Sequence, residues 1–109
     1  MNIKAWERQV REYGCVVTRR CDVQLHHVAG RTYRHNKVHI GRYFILPLCW
    51  DLHDVHSNHP HNVTHWRHTF TDEYGTQRDL FAQMCADMQE DGLEIPPTNI
   101  LEVIADTRY

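Results

Sequence analysis

Leu25-His26-His27-Val28-Ala29-Gly30-Arg31 and, downstream, Leu46-Pro47-Leu48-Cys49-Trp50-Asp51-Leu52-His53 decide how this chain of 109 residues is read. The stretch from Val23 to Val28 favours a strand and follows a turn-prone Cys21-Asp22. Alternation puts Val23, Leu25 and His27 on one face and His26 on the other. Both histidines can serve one site only if the strand twists or ends there, and Ala29-Gly30 offers a place for that irregularity. Residues 31–42 read as a basic loop containing His35, Asn36, His39 and Gly41, unusually long for a hairpin and therefore a candidate for function. Tyr43 to Leu46 reads as the second strand, and Pro47 as the first turn of a helix running to about Val55. On that helix Cys49 and His53 stand four residues apart, on one face, with His56 a turn beyond.

Working outward, residues 2–13 form an amphipathic helix, because Ile3, Trp6, Val10 and Tyr13 recur at three- and four-residue steps and Gly14 can end it. Cys15 and Cys21 enclose five residues, wider than the usual zinc knuckle, so a metal pair and two separate core thiols both stay open. After His53 the chain is polar, rich in histidine and broken by Pro60 as far as Asn62. Helices are expected over 65–74 and 77–90, divided by Gly75-Thr76. The second has an apolar stripe of Leu80, Phe81, Met84, Cys85 and Met88, the pattern of a core face. Gly92 and Pro96-Pro97 break the chain before a short terminal helix that Thr98 can cap. No repeat or low-complexity tract divides the chain, so residues 1–109 read as one domain, with a central unit at about 14–56 and C-terminal helices at about 65–105.

Composition narrows the function classes. The longest uncharged apolar run, Tyr43 to Trp50, is eight residues, too short to cross a bilayer. The N-terminus carries Lys4, Glu7, Arg8 and Arg11 where a signal peptide has its apolar core. The expected location is the cytoplasm, with the cysteines as reduced thiols. All ten histidines lie between His26 and His68. A solvated polar loop is the ordinary explanation, and metal or phosphate chemistry is the other. The formal charge of −2 hides an asymmetry: residues 1–45 hold nine Lys/Arg against three acids, and the remainder three against eleven. The basic half, with Arg19, Arg20, Arg31, Arg34, Lys37 and Arg42, suits a phosphate-bearing partner.

Hydrolysis of a phosphodiester needs a base that stays neutral near pH 7 and a cation to stabilise charge on the phosphate. A His pair on a strand and a His on the following helix supply that inventory. The order of motifs goes further. Gly14-Cys15-Val16-Val17, then His26-His27-Val28-x-Gly30-Arg31, then Leu46-Pro47-Leu48-Cys49-x-x-x-His53, then Phe70 to Leu80 with its Glu-Tyr-Gly-Thr-Gln run, together resemble the HNH (ββα-metal) endonuclease superfamily. The similarity covers roughly residues 5–82 and is nearest to the RecA-dependent recombination-enhancing nucleases of temperate phages and their small prophage relatives.

The resemblance implies an α+β fold, a ββα-metal finger with flanking helices at both ends. It implies a metal-dependent DNA endonuclease, phage or prophage encoded and acting in the bacterial host's cytoplasm, with DNA and a RecA-like recombinase filament as partners and no membrane. Residue by residue, His27 matches the general base, His26 the metal ligand before it and His53 the helix histidine that closes the metal site. His65 matches a further histidine ahead of the Phe-x-x-x-Tyr-Gly run. One divalent metal (Mg, Mn or Zn) is implied at the active site, with Cys15, Cys21 and Cys49 as candidates for a structural zinc. Arg31, Arg34, Lys37 and Arg42 are the expected DNA contacts. The chain departs from the family where Phe44 replaces the middle Asn of the signature, with Asn36 and His39 as nearby substitutes. It departs again where Thr18 replaces the second cysteine of a Cys-x-x-Cys, and where Leu52-His53 replaces a His pair. A non-catalytic, zinc-bound DNA- or protein-binding module is the alternative reading of the same residues.

Overall fold

The computed structural model describes residues 1–109 as an α+β arrangement of five helices and two small antiparallel sheets. The first helix, α1 (Ile3–Tyr13), is capped by the Asn2 side chain, which accepts from the Ala5 N–H at 3.1 Å. It stops at Gly14, whose φ of 85° a side chain would resist. Its Trp6 and Val10 are buried, and Trp6 donates its indole N–H to the Tyr43 carbonyl at 3.0 Å.

The first strand, β1 (Val23–His27), ends at His27, and the chain turns at Gly30 with φ 91°. The loop that follows is not structureless. It folds into a small hairpin, β2 (Arg34–His35) with β3 (Val38–His39), joined by Asn36 and Lys37, both at positive φ. Two central residues of that hand match the twist of a hairpin. The main partner of β1 is β4 (Ile45–Cys49), in the register Val23↔Cys49 through His27↔Ile45.

This corrects the expected boundary. The second strand starts two residues later than expected and runs through Pro47, and the helix after it, α2 (Trp50–His53), is only four residues long. The physical reason lies in the 15–20 loop. The Pro47 carbonyl accepts the Val16 N–H at 3.0 Å, so that residue's backbone polar groups face away from β1 and the missing N–H costs no ladder bond.

Two further helices, α3 (Arg67–Tyr74) and α4 (Gln77–Glu90), meet at Gly75, where φ is 99°, and Thr76 caps α4 by accepting from the Asp79 N–H. The terminal helix, α5 (Thr98–Ala105), starts with Pro97 in the cap position, so Thr98 lies inside the first turn rather than before it. All five positions of β4 are buried, between α1 and α4. Phe81 of α4 packs edge-on against both Trp6 and Phe44 at centroid distances of 6.3 and 5.3 Å, closing one core. Full burial of an aromatic side chain of this size stabilises by about 1.5–3 kcal/mol, so this trio ties the N-terminal helix to the C-terminal ones. No helix is long and apolar enough to cross a membrane.

Candidate active site

Cross-strand partners share a face, so the register sorts the histidines. Gln24 and His26 lie with Leu48 and Leu46 on one side of the ribbon; His27 lies with Ile45 on the other. On the first side α2 brings His53 beside His26, with ring centroids 5.0 Å apart and planes inclined at 59°. Each ring is held by a glutamine. His26 Nε2 sits 2.7 Å from Gln77 Oε1 at the start of α4, and His53 Nδ1 sits 2.6 Å from Gln24 Oε1. Gln24 in turn donates through Nε2 to Asp54 Oδ2 at 2.8 Å.

The electrostatics favour neutral rings. Burial, then the neighbouring His53 charge, pushes His26 down to about 4. Burial also lowers His53, partly opposed by Asp54. Asp54 itself is held below the usual carboxylate range, first by the Gln24 hydrogen bond and then by the His56 N–H. A neutral imidazole is the form that can ligate a metal or accept a proton.

His27 differs from both. Its Nε2 is buried and has no hydrogen-bond partner. Burial, then Arg31, lowers its pKa, with Glu7 acting in the opposite sense and Arg42 in the same sense. An orphaned buried polar atom costs about 1–3 kcal/mol, and a ring nitrogen left in this state is a functional candidate.

The basic residues gather around the same loop. Arg31, Arg34, Lys37 and Arg42 are all exposed, and none of them is in an ion pair. Arg31, His39 and Arg42 line a cavity of about 230 Å³ together with Ile3, Gly41 and Tyr43. Gly41 is required there because a methyl group on it would overlap the Gly30 and Arg31 carbonyl oxygens. Arg34 donates to the Lys37 carbonyl across the β2–β3 turn. Arg19 is engaged elsewhere, its guanidinium 3.9 Å from the centre of the Tyr13 ring.

The remaining candidates are dispersed. His65 Nε2 donates to the Val55 carbonyl at 2.7 Å and lies just before α3. His59 and His61 form a local pair, the His61 N–H donating to His59 Nδ1 at 3.0 Å. His35 faces Asp106 at 3.2 Å. Cys15 and Cys49 are buried close enough to perturb each other; Cys21 is exposed and makes no hydrogen bond with either. Burial raises the Cys15 thiol, but hydrogen bonds from Thr18 and from backbone N–H groups outweigh it and leave it below its ordinary value; Cys49 is raised by burial and by Cys15. Three residues later stand Thr18 and Leu52, so the pair offers two thiols of the four ligands that a closed structural zinc takes.

No group of three or more His, Cys, Asp or Glu side chains converges at metal-binding geometry. His26 and His53 bring two imidazole rings side by side, and a cation held by these two donors would have to take its other ligands from water or phosphate oxygens. Three residues of this site escape a reading of the sequence: Gln24, Asp54 and Gln77. The first two carry a local signal, being two before His26 on the same strand face and next to His53. Gln77 has none, since it arrives from 51 residues away. Comparison with protein-family models, with curated proteins and with solved structures gives no match.

Proposed function

We propose that this chain is a metal-dependent endonuclease of the ββα-metal type, hydrolysing DNA phosphodiester bonds. The observation that carries the reading is His27 Nε2, a buried nitrogen with no partner at the end of β1, on the opposite face of that strand from the His26–His53 pair. In this reading the His27 ring, which lies across β1 from His26 and His53 with Nε2 buried, turns out of that position at the end of the strand. There it takes the proton of the attacking water as the new P–O bond forms and the leaving oxygen departs. His26 and His53 hold one divalent cation, which when bound stabilises negative charge on the phosphate. Arg31, Arg34, Lys37 and Arg42 bind the flanking phosphates and keep the duplex in register. A bacterial or phage setting and a RecA-like filament as partner belong to the same proposal and rest on the sequence resemblance.

A second reading, a zinc-bound DNA- or protein-binding module without turnover, uses the exposed Arg31, Arg34, Lys37 and Arg42 and needs no base at His27. Supercoiled plasmid with Mg²⁺ or Mn²⁺, with and without chelator, separates the two. The wild type nicks the plasmid only with the metal, and His27→Ala loses about 10²–10⁴-fold in rate while keeping its DNA affinity. A folded His27→Ala protein that cuts at the wild-type rate overturns the assignment. A wild type that binds DNA and never nicks it belongs to the second reading.

A further inference from the structure

The hydrogen bonds around His53 run in one direction only. An ionised carboxylate accepts and cannot donate, so the side of the Gln24 amide that meets Asp54 Oδ2 at 2.8 Å must be the NH₂ group. The other end, Oε1, is then the atom 2.6 Å from His53 Nδ1. A carbonyl oxygen only accepts, so Nδ1 must carry the hydrogen. A neutral imidazole has one N–H, and Nε2 is left with a lone pair. Asp54 is itself anchored: its Oδ1 accepts the His56 N–H at 2.9 Å and its carbonyl accepts from Asn62 Nδ2 at 3.0 Å. The bond between Gln77 and His26 lacks this property, because no second partner fixes which end of the Gln77 amide faces the ring.

We propose that Gln24 and Asp54 are positioning residues that lock His53 in its Nδ1–H tautomer, so that Nε2 is held ready as a lone-pair donor to a divalent cation. The purpose, though not the lock, rests on the reading of His26 and His53 as a cation site. Outer partners that orient a ligating imidazole are worth about 10–100-fold in metal affinity.

The test uses the full chain, metal-free and ¹⁵N-labelled, at pH 8. Two-bond ¹H–¹⁵N correlations report the His53 tautomer, and titration with Mn²⁺ alone reports affinity. In the wild type Nδ1 is protonated. Gln24→Leu populates the Nε2–H form and weakens Mn²⁺ about 10–100-fold. Asp54→Asn frees the Gln24 amide to turn and mixes the two tautomers. The double variant Gln24→Glu with Asp54→Asn rebuilds the relay, Asn donating to Glu and Glu accepting from Nδ1, and restores both readouts. A wild-type His53 protonated at Nε2, or a folded Gln24→Leu protein with unchanged tautomer and unchanged Mn²⁺ affinity, overturns the lock. A wild type with the Nδ1–H ring that binds no Mn²⁺ supports the lock and overturns the cation purpose.

Discussion

Lowering the pH should destabilise the metal-free protein through His26, and the size of the effect follows from its surroundings. His26 is pushed from an ordinary value of 6.5 down to about 4 by burial and by the neighbouring imidazoles. A base whose folded pKa is depressed resists protonation in the native state, so the unfolded chain binds more protons between the two values. The stabilising contribution is complete above about pH 6.5 and is lost as pH falls through 4. The full shift corresponds to about 3 kcal/mol, of which about 2 kcal/mol is already gone at pH 5. Urea denaturation of the chelator-treated protein at pH 7.5, 6 and 5 measures it. His27 and His53 are shifted in the same direction and add to the slope, so the variant His26→Gln serves as the reference. The stability of the wild type minus that of the variant should fall by about 2 kcal/mol over that interval. A difference that stays constant with pH would refute the claim that His26 is held neutral by its environment.

Three other outcomes are expected. Gly41→Ala should lower stability by about 1–3 kcal/mol, since the new methyl meets backbone oxygens of Gly30 and Arg31 that cannot swing aside; thermal melts check it. Asn62→Ala should cost about 2–4 kcal/mol and loosen the 54–65 segment, because the fully buried Asn62 side chain bonds the Asp51 and Asp54 carbonyls and the Thr64 and His65 N–H groups; hydrogen exchange of those amides reports it. Replacing Arg31 and Arg42 together by Ala should reduce the salt dependence of duplex binding, the log–log slope falling by about 0.9 for each phosphate no longer neutralised; fluorescence anisotropy across a salt series measures it.

How much of this is legible in the residues depends on how local each cause is. Gly14 and Gly75 end their helices through their own backbone conformation, and Thr76 caps α4 through its own hydroxyl, so these limits can be read directly. Strand β1 follows from pattern over a few residues, whereas the candidate roles of His26, His27 and His53 come from the resemblance of the ordered motifs. The β2–β3 hairpin is hidden because its turn is Asn-Lys, without the glycine that usually announces positive φ. Pro47 reads as helix because its missing donor argues against a strand unless its N side faces away from the partner, and only the packing of Val16 against it decides that. The same holds for the site. Alternation separates His26 from His27 on any strand, but which face meets α2 and α4 is set by register with β4 and by the core that Trp6, Phe44 and Phe81 close. Backbone preferences act between near neighbours and are written in the sequence. Buried polar groups such as the His26 ring take whichever partner the packed core brings to them, and Gln77 reaches His26 only once α4 has docked.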